Sequence, residues 1–237
     1  MLTNIEKLLV AITGSLGGRR PIGVPVLVIG ESGSGKTYSL KNFEANEVTI
    51  FSVEKSRLPF QKKLPLVARA EYDTIQGLFS KPLTKKVYVI DDSQYLLVNE
   101  MFKGMEDHVN GFEVYKNIAL NFRNLIHGVN FNLPDDVIVY FLHHSEKDND
   151  GTIKAKSVGK MLDEKLSIPG CFDLVLYARM DGDKHIFQTQ SDGFAIAKSP
   201  EGMFEKIIPN DLKAVDTRIR EYYGFTEEKP KNEKEKK

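Results

Sequence analysis

The sequence predicts an α/β fold, a mostly parallel sheet with helices on both faces. Two observations carry this. Several candidate strands, among them Val24 to Ile29, Val48 to Val53, Val87 to Ile90 and Val137 to Leu142, are almost wholly apolar, as strands buried on both sides must be. They alternate with segments of helical apolar spacing, which is the pattern of strand–helix units stacked into one sheet.

Taken in order, Ile5, Leu8, Leu9 and Ile12 recur at helical spacing behind Thr3 and Asn4, so a short helix is expected over residues 1–13. Gly14 to Gly23 reads as a loop carrying Arg19 and Arg20. Pro25 is compatible with a strand only near its start or at an edge. A helix is expected from Gly35 to about Ala45, followed by the second strand. The third strand ends at Asp91-Asp92, and two helices are expected over Ser93 to Lys103 and Phe112 to Val129. Pro134-Asp135-Asp136 turns the chain into the fourth strand. Asp148-Asn149-Asp150-Gly151 is a further turn, and Gly182 divides Phe172–Arg179 from His185–Gln190. Leu212, Val215 and Ile219 line one face of a last helix, Asp211 to Tyr223. Residues 226–237 are almost entirely Lys, Glu, Asn and Pro, a composition that reads as a disordered tail after a single domain over residues 1–225.

The chain has 237 residues, enough for one sizeable core. Its 33 basic and 33 acidic residues cancel, so any contact with nucleic acid has to come from a local patch. The single cysteine, Cys171, excludes an intrachain disulfide and reads as a small buried apolar residue. No basic stretch leads into an apolar run at Met1-Leu2-Thr3-Asn4, and no apolar run approaches a membrane span, so a soluble intracellular protein without a membrane partner is expected.

The strongest chemical signal is Gly30-Glu31-Ser32-Gly33-Ser34-Gly35-Lys36-Thr37, followed by Tyr38. It holds every fixed residue of the Walker A phosphate loop at the required spacing, between a strand and an expected helix. Glycines let backbone N–H groups turn inward around phosphates, Lys36 reaches the β- and γ-phosphates, and the Thr37 hydroxyl ligates magnesium. ATP and Mg²⁺ are the expected cofactors. Asp91, closing an apolar strand, is the candidate Walker B carboxylate that holds the metal through water. Asp92 follows as a second candidate acid, although capping the next helix would also account for it. His143 and His144 end the fourth apolar run. Adjacent strand residues point to opposite faces, so one of them at most faces a nucleotide, and His144 is preferred. Lys154, Lys156 and Lys160 form a basic stretch after the Asp150-Gly151 turn, with Lys198 a weaker candidate. Phe187 and Phe194 could stack on bases, though core packing accounts for them equally.

Beyond the phosphate loop, Val53-Glu54-Lys55 with Leu58-Pro59-Phe60, Val89-Ile90-Asp91-Asp92-Ser93-Gln94-Tyr95-Leu96, Val158 to Lys165 and Ala197-Lys198-Ser199-Pro200 resemble a family of bacteriophage RecA-like P-loop ATPases related to the Sak-type single-strand annealing proteins. The resemblance runs over about residues 22–224. It implies a RecA-like P-loop NTPase core, binding of single-stranded DNA, assembly into rings or filaments, and a place in recombination or replication in the cytoplasm of an infected bacterium. It also implies roles. Glu54, just past the second strand, resembles the glutamate that polarises the attacking water. His144 resembles the sensor of the γ-phosphate, and Lys160 a finger that completes a neighbouring subunit's site. Two other functions stay open: a nucleotide-dependent assembly or switch protein without DNA, and a small-molecule kinase.

Overall fold

The computed structural model describes residues 22–54, 57–159, 162–163 and 166–225. The expected first helix, the Arg19–Arg20 loop, Lys160 and the expected tail lie outside these residues. Among the described residues these strands and α-helices follow one another: β1 (Val24–Gly30), β2 (Val48–Ser52), β3 (Leu66–Ala68), α1 (Tyr72–Phe79), β4 (Val87–Asp91), α2 (Gln94–Glu106), α3 (Gly111–Asn132), β5 (Ile138–Lys147), β6 (Ile153–Ala155), β7 (Leu174–Asp181), β8 (Lys184–Gln188), β9 (Ile207–Pro209) and α4 (Leu212–Tyr223).

The strands form one sheet in the order β3-β2-β4-β5-β1-β7-β8-β9, with β6 paired to β5. From β3 to β7 every pairing is parallel, and β8, β9 and β6 add antiparallel extensions. This is the mostly parallel α/β sheet that the apolar strands led one to expect. The reason is visible in the alternation. In β1, Leu27 and Ile29 enter one core while Val26 and Val28 enter the other. β5 does the same with Val139 and Phe141 against Ile138, Tyr140 and Leu142. A strand with period-two side chains and two buried faces has to be apolar throughout. Helices α1 to α3 cover the first face through Ile75, Leu97, Ile118 and Phe122. α4 covers the second through Leu212, Val215 and Ile219, together with Leu40 and Phe43.

The ends of α4 are tied by side chains. Asp211 caps its first turn, accepting from Lys213 N at 2.9 Å and Ala214 N at 3.3 Å. Asn42 Nδ2 donates to the other Asp211 oxygen at 2.7 Å, which couples the phosphate-loop segment to this helix. Gly224 closes the helix in the left-handed conformation, φ 71°.

Two expectations need correction, and two elements were not expected. No α-helix follows the phosphate loop; the chain makes a 3-10 turn over Thr37–Leu40 and continues through further turns. Ser39 Oγ donates to Lys36 O at 2.5 Å, and the turns close at three-residue spacing through Lys41 N to Tyr38 O and Phe43 N to Leu40 O. β5 does not stop at the histidines but runs to Lys147, because β6 supplies a partner for Ser145 to Lys147. β3 and α1 had no sequence signal: β3 has three residues, and α1 buries only Ile75. Pro25 lies in a central strand, as its second residue and before pairing with β7 begins at Val26.

Candidate functional site

Gly30 ends β1, Asp91 ends β4, and β5 lies between those two strands carrying His143 and His144. The candidate residues, scattered over a hundred positions of sequence, therefore meet at the carboxyl ends of parallel strands, where open α/β sheets bind their ligands.

The loop itself is built by its glycines. A Cβ on Gly30 would stand 2.5 Å from Ser34 Oγ and 2.6 Å from Ala178 O, so a side chain there would prise the loop off β7. Gly35 has φ 92° and faces His185, whose Nδ1 would lie 2.8 Å from a Cβ. Lys36 is 6% exposed and its Nζ donates to Gly30 O at 2.7 Å and Glu31 O at 2.9 Å, folding back along the loop that precedes it. With no α-helix behind it, the cradle for an anion rests on the loop's own N–H groups and on Lys36, rather than on a helix dipole.

Thr37 Oγ1 donates to Asp91 Oδ1 at 2.9 Å. Both are hard oxygen donors, and a small divalent cation takes one or two such groups and completes its shell with phosphate oxygens and water. Among the described residues no group of three or more His, Cys, Asp and Glu could hold a metal ion.

Asp92 is buried, with φ 59°. Asp adopts this left-handed conformation more readily than most residues, and the bend places its carboxylate beside His144, Nε2 to Oδ1 3.3 Å. His144 N–H donates to Gln94 Oε1 at 3.2 Å, and Tyr95 packs edge-on to its ring at 6.3 Å. The neighbouring His143 points the other way and is fully buried. Its Nε2 lies 2.7 Å from Lys156 O and its Nδ1 2.9 Å from Ser93 Oγ. A carbonyl only accepts, so Nε2 carries the proton, and the single Ser93 hydroxyl proton lies between Nδ1 and Leu142 O, the latter at 3.1 Å. Burial lowers the pKa of His143 from 6.5 to about 4, keeping the ring neutral.

A cleft of about 410 Å³ gathers Gly33, Lys36, Thr37, Asp92 and His144, with Tyr38 and His185 at one side and Arg57, Leu58 and Pro59 at another. Ser32 also lines it, whereas Ser34 is buried under the loop and Glu31 is exposed. Glu54 is not among the lining residues. It is exposed and accepts from Asn99 Nδ2 at 3.3 Å.

The basic stretch is divided. Lys154 Nζ is 2.6 Å from Asp163 Oδ2 and 3.7 Å from Glu146, and the bond to Asp163 raises its pKa. Lys156 is exposed while its carbonyl receives His143. Phe187 is core, but Phe194 is 73% exposed and its carbonyl accepts from Ile153 N at the start of β6. Cys171 is only partly buried, its Sγ 3.7 Å from Ser167 O, and burial raises its pKa.

Sequence reasoning missed Arg57, His185 and Asn210 as neighbours of the loop. His185 and Asn210 arrive through the pairing of β7, β8 and β9, and no local pattern marks either residue. Residues 22–200 match a family model described as an AAA domain. No curated protein matches the chain.

Proposed function

The chain belongs to the AAA domain family, a P-loop ATPase type, and from that premise we propose that it hydrolyses ATP with magnesium and couples turnover to single-stranded DNA as a RecA-like ring or filament. The observation that carries the chemistry is the hydrogen bond from Thr37 to Asp91 at the mouth of the Walker A loop. Loop N–H groups and Lys36 hold the phosphates. Magnesium, when bound, neutralises phosphate charge, and Thr37 and Asp91 are the residues that would hold it. Water attacks the γ-phosphorus in line, the bond to the β,γ-bridging oxygen breaks, and ADP and phosphate leave. The Asp92–His144 pair is the candidate to orient that water and take its proton, since both residues line the cleft. Glu54 is the competing candidate, placed outside it.

The DNA part of the proposal rests on the sequence resemblance. It is supported by exposed Phe194 lying next to β6, whose following residue is exposed Lys156, an aromatic and a cation of the kind that grip a single strand. The His143 bond to Lys156 O joins that hairpin to β5, one residue from His144.

The test of the chemistry is phosphate release from Mg–ATP by the purified protein and by Lys36→Ala. We expect turnover in the first and a loss of ATP affinity on the order of 100-fold in the second, the scale of two or more charge-assisted hydrogen bonds. Equal ATP affinity in a folded Lys36→Ala protein would remove the proposal.

A further inference from the structure

Beside the phosphate cleft, and sharing Tyr38 and His185 with it, lies a second cleft of about 570 Å³ floored by β8 and β9 and closed by Asn210. Its size suits a purine and a ribose. Asn210 is 8% exposed, yet neither Oδ1 nor Nδ2 has a hydrogen-bond partner among the described residues. His185 Nδ1 is in the same condition. Buried amide groups are ordinarily hydrogen-bonded, so both groups of Asn210 call for a partner.

The residue is also held firmly in place. The preceding Pro209 ends β9, the following Asp211 caps α4 and takes Asn42 Nδ2 at 2.7 Å, and Asn210 Oδ1 lies 3.2 Å from where a Gly35 Cβ would be. Tyr38, the residue after the phosphate loop, is 38% exposed, with Lys41 Nζ 4.1 Å from its ring centroid. An aromatic face, a pinned amide with one donor and one acceptor, and an adjoining phosphate loop form the parts of a base-reading site.

We infer that Asn210 reads the base of the bound nucleotide and selects adenine, with Tyr38 as the stacking surface; this rests on the nucleotide-site reading above. The chemistry is directional. On the N6/N7 edge adenine offers a donor beside an acceptor, which a carboxamide matches with two bonds, whereas guanine offers two acceptors there. His185 Nδ1, on the phosphate side of the same cleft, is placed to meet a ribose hydroxyl.

The experiment is calorimetric titration of ATP, GTP and inorganic tripolyphosphate, each with magnesium, into the wild-type chain and into Asn210→Ala, Asn210→Leu and Tyr38→Ala. The wild-type protein should prefer ATP to GTP by about tenfold or more, the scale of one bidentate base contact. Both Asn210 variants should erase most of that preference, and Tyr38→Ala should weaken ATP and GTP together. All three should leave tripolyphosphate affinity within about twofold, since it has no base to read. An unchanged ATP-to-GTP ratio in folded Asn210 variants overturns the inference. So does an equal loss for ATP and tripolyphosphate, which would make Asn210 a prop for Gly35 alone. Where Asn210→Ala does not fold, the near-isosteric, uncharged Asn210→Leu and the exposed Tyr38→Ala decide. A wild-type chain that binds neither ATP nor tripolyphosphate removes the nucleotide site itself, a different failure from loss of base selectivity.

Discussion

Thr37 Oγ1 and Asp91 Oδ1, 54 residues apart in sequence, are 2.9 Å apart in the fold. The hydroxyl hangs off the turn after β1 and the carboxylate closes β4, two strands separated by β5, so the contact depends on the parallel registers of both strands with β5. A metal bound there would report on both residues together. Asp91→Asn and Thr37→Ala should each reduce the magnesium-dependent part of ATP affinity by about 10- to 100-fold, the usual cost of disturbing a group that orients a metal. ATP affinity measured in EDTA should hardly change. A loss of equal size with and without magnesium would show that Asp91 supports the loop rather than the cation.

The two candidate bases make opposite predictions. Asp92 lines the cleft within 3.3 Å of His144, while Glu54 is exposed and bound by Asn99. Asp92→Asn should therefore slow turnover on the order of 100-fold or more with ATP binding kept, the scale of a lost positioned general base. Glu54→Gln should cost less. Single-turnover phosphate release on both proteins decides the matter, and the reverse order would return the role to Glu54.

His143 gives a pH signature. Its folded pKa, about 4, is below its ordinary 6.5 because the buried ring cannot be charged cheaply. Between those values the unfolded chain binds a proton that the folded chain does not, so stability falls as pH falls. The contribution is complete above about pH 6.5, declines through that window, and is gone below about 4. It amounts to about 3 kcal/mol. His143→Gln should flatten the melting temperature against pH between 6.5 and 4 relative to wild type. Parallel curves would mean that other groups dominate acid unfolding.

How far these residues could be read from sequence follows from the range of the interactions. The Walker A loop was legible because its requirements are local, glycines where backbone approaches backbone. β1, β2, β4 and β5 were legible because burial on both faces leaves a wholly apolar run. The helix after the loop was misread because apolar spacing does not register how the turns close, with Lys41 N reaching Tyr38 O and Phe43 N reaching Leu40 O. That at most one of His143 and His144 could face the cleft followed from the alternation of a strand, which does not say which one; His144 lines the cleft and His143 lies in the core. Asn210 and His185 were beyond reach, since the pairing of β7 to β9 brings them to Gly35 and nothing in their own neighbourhoods records it.

The proposed coupling to single-stranded DNA has the most to lose. With 33 basic and 33 acidic residues, the chain has no bulk attraction for a polyanion, so binding has to be local and salt-sensitive. The exposed pair beside β6, Lys156 and Phe194, offers one phosphate contact and one stacking face. Phe194→Ala should weaken binding of a poly-dT oligonucleotide by about 5- to 100-fold, the range for one lost stacked base. Lys156→Ala should weaken binding to every sequence alike and reduce the salt slope by about 0.7, the increment for one phosphate on a single strand. Neither change touches the nucleotide cleft, so ATP affinity without DNA should stay at the wild-type level. If RecA-like assembly accompanies binding, ATP turnover per chain should rise with protein concentration and rise again when the oligonucleotide provides a scaffold. Fluorescence anisotropy at low salt, read beside sedimentation of the same samples, separates the outcomes. A protein that stays monomeric, hydrolyses ATP independently of concentration and leaves the oligonucleotide free would end the DNA reading. The nucleotide site would then belong to a switch that acts through protein partners.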